Sequence, residues 1–160
     1  IGRGVGMIDA HFHLTHKGRS WEDTIAHIEN IGAEKAVILP IEGGDDEFDW
    51  KTEEVVAAYE KYPDQIIPFC HVDVRRADAV AVLEKWADTG VFKGFGEQKQ
   101  HIRLDDPRLE SVLAICNTLA WPVTWHFQDG ANGYNQGLDH LEVLLISIKS
   151  CSIFFNHSCM

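Results

Sequence analysis

No apolar run in the sequence approaches the ~20 residues that a membrane-spanning helix needs. The longest, around Leu141 to Ile148, is interrupted by Glu142 and Ser147, so no membrane partner is expected. Ile1–Gly6 lacks the apolar core of a secretory signal, and Met7, where the first strand begins, is a candidate translation start. Positive charge is scarce as well: Lys and Arg total 14 against 25 Asp and Glu, a net charge of −11. Such a surface repels phosphate backbones and argues against nucleic-acid binding. Cysteine is sparse, with Cys70, Cys116, Cys151 and Cys159 showing no CxxC spacing. Reduced thiols in a cytoplasmic protein are the expectation, with Cys70 and Cys116 in element interiors. Walker and GxSxG patterns are absent, and Gly2-Arg3-Gly4-Val5-Gly6 precedes a strand where a phosphate-binding turn would follow one. The acidic stretch Glu42–Asp49 lacks the ligand spacing of an EF-hand and reads as solvated charge.

What the sequence does have is a regular alternation of strand and helix patterns. Strands are expected at Met7–Leu14, Lys35–Pro40, Gln65–Val74, Val91–Glu97, Pro122–Gln128 and Ser152–His157. Helices are expected at Trp21–Ile31, capped by Ser20 with Asp23 and ended by Gly32, and at Glu53–Tyr62, capped by Thr52. Further helices fall at Ala77–Thr89, at Pro107–Leu119 after the cap Asp106, and at Leu138–Lys149. Trp21, Ile25, Ile28 and Ile31 form the inward face of the first, and Val80, Leu83 and Trp86 that of the third. This order implies a parallel α/β sheet in a single domain over residues 1–160. A doubly wound open sheet would be complete at this length, whereas a (β/α)8 barrel takes about 250 residues.

The positions of the histidines favour the barrel. In Asp9-Ala10-His11-Phe12-His13 the alternation of a strand puts Asp9, His11 and His13 on one face. Two imidazoles so placed can reach a common metal ion. The fourth strand ends in Gly94-Phe95-Gly96-Glu97, the fifth in Trp125-His126-Phe127-Gln128, and the sixth in Phe155-Asn156-His157. Four strands thus carry potential ligands at their carboxyl ends, where parallel α/β folds build their sites. In a barrel those ends converge, whereas in an open sheet distant strands cannot share an ion. Among the other histidines, His27 and His140 are expected to be exposed on helices, and His16 and His101 lie in loops on the active face. His71, beside Asp73 at the end of the third strand, reads either as a pocket residue or as a satisfied core histidine. The Gly-rich loop from Asp129 to Tyr134 is a substrate loop or a plain connection.

At these motifs the sequence resembles the amidohydrolase superfamily, and most of all its amidohydrolase-related branch, which includes aminocarboxymuconate-semialdehyde-decarboxylase-like proteins. The resemblance runs from Met7 to His157 and implies an incomplete TIM barrel of about six strands and five helices. It implies that His11, His13 and His126 bind metal, with Glu97 as a further ligand. His157 would act as acid or base, or bind a second ion. The implied cofactor is a divalent metal, zinc by default, with manganese or iron as alternatives. The family's strand-eight aspartate, which takes a proton from the attacking water, has no counterpart in these residues. The implied activity is hydrolysis of a C–O or C–N bond in a small polar molecule by metal-activated water. Metal-dependent decarboxylation or hydration of a small carboxylic acid is the alternative. A third reading is an inactive fragment whose open strand edges lead to self-association. A fourth, an open-sheet binding domain with an incidental HxH, places His126 and His157 far from His11.

Overall fold

The computed structural model describes residues 6–44, 49–128, 137–142 and 153–156. The elements run β1 (Met7–Phe12), α1 (Trp21–Asn30), β2 (Ala33–Ile38), α2 (Thr52–Lys61), β3 (Ile66–Pro68), α3 (Ala79–Asp88), β4 (Phe95–Gln98), α4 (Pro107–Thr118), β5 (Val123–His126) and β6 (Ile153–Asn156). Leu138–His140 forms a short 3-10 turn, and the remainder of the helix expected up to Lys149 lies mostly outside the described residues. His157 lies outside them too.

Two parallel three-stranded ladders, β1-β2-β3 and β4-β5-β6, carry the strands. Backbone bonds join them: Cys70 N–H donates to the Gly94 carbonyl at 3.1 Å, and Gly96 N–H to the Cys70 carbonyl at 2.9 Å. The strands therefore follow one another in chain order, as a barrel wall requires. The wall is curved. In a flat sheet three spacings of about 4.8 Å would hold β1 and β4 roughly 14 Å apart. Instead His13, just past β1, lies 3.1 Å from Glu97 of β4. The Glu97 N–H also reaches the Pro40 carbonyl, beyond β2, at 2.8 Å. That curvature excludes the open-sheet reading.

Alternation along each strand sorts the side chains. Val123, Trp125 and Phe127 turn outward into a core built with Leu83 of α3 and with Leu109, Val112, Leu113 and Cys116 of α4. Thr124 and His126 take the opposite face. A second core packs Ile25 and Ile28 of α1 and Val55 and Ala58 of α2 against Ala36, Ile38 and Ile66. Gly96 is required where β4 passes β5. Its φ is +132°, and a Cβ there would meet the Thr124 carbonyl oxygen at 2.6 Å.

Several helix signals act as the sequence implies. Ser20 and Asp23 form a reciprocal capping box on α1, and Asp106 caps α4 ahead of Pro107. Three expectations need correction. Thr52 is not a cap: it is the first residue of α2, and its hydroxyl donates to the His71 carbonyl at 2.9 Å. The third strand is three residues long; beyond it the chain keeps one bond to β2, from Phe69 N–H to the Ile38 carbonyl, and passes to β4 through a single bridge at Cys70. Ile31 and Val80 are exposed, being at the ends of their helices where the apolar stripe has rotated off the sheet.

Candidate metal centre

The site begins with β1. Asp9 accepts the His11 N–H at 3.0 Å, and the strand's alternation sends the imidazoles of His11 and His13 to the same side. The His13 ring is fixed from behind. Its Nδ1 lies 2.8 Å from the Leu39 carbonyl oxygen, which can only accept. Nδ1 therefore carries the proton, and a neutral His13 presents a lone pair at Nε2. A backbone carbonyl behind an imidazole is a common outer support of metal-ligating histidines.

Three groups converge in front of that lone pair. His13 Nε2 is 3.2 Å from His11 Nε2 and 3.1 Å from Glu97 Oε2, and His11 Nε2 is 3.7 Å from the same oxygen. The ligand atoms of His11, His13 and Glu97 all lie within 4.8 Å of one another. Glu97 is 1% exposed, so water does little to screen it. Its other oxygen, Oε1, lies 3.1 Å from Nδ1 of the buried His126. Four of the residues singled out in the sequence thus meet around one carboxylate.

The electrostatics agree with the geometry. Burial opposes charge on Glu97, but the hydrogen bond from His126 and the neighbouring imidazoles of His13 and His11 outweigh it and hold the carboxyl far below its usual range. Burial pushes His11 down, against the pull of Glu97, which favours the neutral, ligating imidazole. The donor set fits a divalent cation. A neutral His13 nitrogen and a carboxylate oxygen at 3.1 Å are two acceptors, which repel unless a proton or a cation lies between them. Two imidazoles and a carboxylate suit zinc, and suit manganese or iron nearly as well.

His71 is a core residue. It is 0% exposed; its Nδ1 accepts the Glu42 N–H at 2.8 Å, and its Nε2 donates to Gln98 Oε1 at 3.0 Å. Burial lowers its pKa to about 4, so it is neutral at pH 7. A cavity of about 370 Å³, lined in part by Glu42, Asp73, Arg76 and Trp86, touches His71 but none of the four converging residues. His27 is half-buried, its ring 5.2 Å from Phe12, and His140 lies 3.5 Å from Asp105 in place of standing free. Nothing in the sequence signals Leu39 or Trp50, whose ring centroid is 4.4 Å from that of His13. No spacing rule connects either of them to residue 13.

No protein-family model matches the chain, and no curated protein matches it. Solved structures do. A TIM-barrel protein from Bordetella bronchiseptica aligns with a TM-score of 0.65 at 18% identity, over 84% of this chain and 50% of its own. A probable 2-pyrone-4,6-dicarboxylic acid hydrolase from Acinetobacter baumannii aligns at 0.59 and 15%, over 96% and 58%. A manganese-bound 5-carboxyvanillate decarboxylase from Novosphingobium aromaticivorans aligns at 0.58 and 16%, over 84% and 49%. The fold is part of a TIM barrel. This chain spans about half the length of these neighbours.

Proposed function

We propose that this chain carries the metal centre of a metal-dependent hydrolase acting on a small polar substrate. One observation carries the reading: His11, His13 and Glu97, from strands that a flat sheet would keep apart, bring acceptor atoms to one point. A divalent cation held by these three residues would supply Lewis acidity, lowering the pKa of water from ~15.7 towards ~7 or polarising a substrate oxygen. The chain's own groups do the rest. Leu39 holds the His13 tautomer, Glu97 supplies the negative charge, and His126 holds a proton against Glu97 Oε1. His157, if it follows the family pattern, is the acid or base.

Decarboxylation of a small carboxylic acid is the second reading, and electrostatics favours an anionic substrate for either. Beside the centre, His16 is lowered first by burial and then by neighbouring His13 and the positive charges of Lys17, Arg19 and Lys99. Such a rim in a chain of net charge −11 suits an incoming carboxylate. We place the protein in the cytoplasm, with a small-molecule substrate and a second copy of itself as candidate partners. Cys70 and Cys116 are both buried, in keeping with reduced thiols. Among the described residues no helix is long and apolar enough to cross a membrane.

The test is elemental analysis of the purified protein beside the His11→Ala/His13→Ala variant. Near-stoichiometric zinc, manganese or iron in the first, lost in the second, is the expected result. A folded protein that takes up none of the three when each is supplied would refute the reading. Evolution of CO2 from a supplied aromatic acid would favour the decarboxylase over the hydrolase.

A further inference from the structure

The loop after β2 leaves the barrel wall at Ile41 and returns at Trp50. Paired backbone bonds pin that return: Ile41 N–H donates to the Trp50 carbonyl at 2.9 Å, and Trp50 N–H to the Ile41 carbonyl at 3.0 Å. Closure of the loop is reinforced nearby. The Glu42 carboxylate accepts the Thr52 N–H at 2.7 Å, and Lys51 pairs with Asp49 at 2.6 Å. Trp50 is therefore held at a fixed height beside the strand ends, although it stands in a loop. Its half-buried indole lies against the His13 ring, with centroids 4.4 Å apart and planes tilted by 32°. The His16 ring meets the same indole edge-on at 5.5 Å and 76°.

His13 thus has two supports, and they differ in kind. The Leu39 carbonyl fixes the tautomer and the position of Nδ1. A single hydrogen bond leaves the ring free to swing about the Nδ1–O direction, and that swing would carry Nε2 away from Glu97. The indole face blocks it. Offset aromatic contacts add enough to area burial to bias one ring orientation several-fold. Both supports come from one stretch of chain, Leu39 to Trp50, so the end of β2 grips a ligand carried by β1.

We propose that Trp50 is a positioning residue of the metal centre, holding the His13 imidazole in the plane in which Nε2 faces Glu97 and His11. The inference rests on the metal-centre reading above. It extends that reading to a residue that offers no ligand atom itself.

Cobalt(II) serves as the probe, because its visible absorption reports coordination directly. The full chain, stripped with chelator, is titrated as wild type, Trp50→Phe, Trp50→Leu, Trp50→Ala and His13→Ala. Outer supports of metal ligands are typically worth ~10–100-fold in affinity, so Trp50→Ala and Trp50→Leu are expected to bind at least ~10-fold more weakly with an altered spectrum. Trp50→Phe, which keeps an aromatic face, is expected to recover affinity to within ~3-fold of wild type. Melting of the metal-free proteins separates positioning from folding: a structural role alone would lower the melting temperature without moving the affinity of the folded fraction. Wild-type affinity and spectrum in Trp50→Leu or Trp50→Ala, with binding lost in His13→Ala, would overturn the inference and leave the metal centre standing. Absence of cobalt binding in the wild type would overturn both.

Discussion

Two polar clusters sit at the carboxyl ends of neighbouring strands, and they are built on opposite principles. Around His71 every donor meets an acceptor. Nδ1 takes the Glu42 N–H, Nε2 donates to Gln98, Gln98 donates to Gln100 at 3.2 Å, and Gln100 donates to the Glu42 carbonyl at 2.8 Å and to Asp73 at 3.1 Å. Around Glu97 acceptors face acceptors on one side: His126 donates to Oε1, but His11 and His13 turn Nε2 towards Oε2, which needs a proton or a cation between it and them. A closed network makes a buried histidine a structural element, because any added ligand would have to break a bond. A convergent set of lone pairs is unfinished until something positive enters. Both histidine sets are buried or half-buried, so burial alone does not separate them; the count of donors against acceptors does.

The largest effect that tests this contrast is on metal affinity. Glu97→Gln keeps the shape of the side chain and removes the charge that the three histidines share. Loss of a direct ligand charge should exceed the ~10–100-fold range of outer partners, so metal affinity is expected to fall by more than about 100-fold. The fold should persist, since burial of Glu97 as a charge is itself costly. Titration calorimetry with zinc checks the affinity, and circular dichroism checks the fold. Undiminished binding would mean that the carboxylate belongs to the protein's structure and not to a site.

The converse substitution is His71→Leu. It strands the half-buried Glu42 N–H and the Gln98 oxygen together, at ~1–3 kcal/mol for each unsatisfied group, so a stability loss of about 2–6 kcal/mol is expected by denaturant unfolding. Metal affinity of the folded protein should change little. If His71→Leu instead abolished metal binding with little loss of stability, the two clusters would have exchanged roles.

How much of this contrast is legible in the sequence depends on the range of the interaction involved. Asp9, His11 and His13 can be placed on one face because strand alternation is local, and Ser20 with Asp23 can be read as a cap because a capping box spans four residues. Glu97 and His126 are legible as strand ends. Their meeting with His11 is legible only through the choice of a barrel over an open sheet, which the structure settles by curvature. The role of His71 stays open in the sequence, because nothing local distinguishes a histidine that receives the Glu42 N–H from one that faces a pocket. Thr52 misleads for a related reason. A Thr before a helical stripe is a good cap by local rules, but here the His71 carbonyl, brought near by the strand's departure from the ladder, takes its hydroxyl. Trp50 is silent, because its contact with His13 depends on where a loop closes and not on any pattern within it.

The smallest effect is a pH dependence, and it sharpens the contrast without removing an atom. Burial lowers His71 from its ordinary 6.5 to about 4 in the folded protein. Between those values the unfolded chain binds a proton that the folded chain refuses, so stability rises with pH across that window and falls as pH drops through it. The contribution is complete above about pH 6.5 and is lost progressively down to about pH 4, at ~1.4 kcal/mol for each pH unit. From pH 7 to pH 5 the metal-free protein should lose about 2 kcal/mol through this group. His11, also lowered by burial, acts in the same direction, whereas Glu97 and Asp73, both lowered carboxyls, matter only below their ordinary range and so leave pH 5–7 to the histidines. Urea unfolding at pH 7 and pH 5 with chelator present, in wild type beside His71→Gln, isolates the His71 share. The wild type should show the steeper loss, because the variant has no imidazole to charge. Parallel slopes in the two proteins would show that burial does not hold His71 in its neutral form, and the sealed cluster would lose the feature that sets it apart from the metal centre.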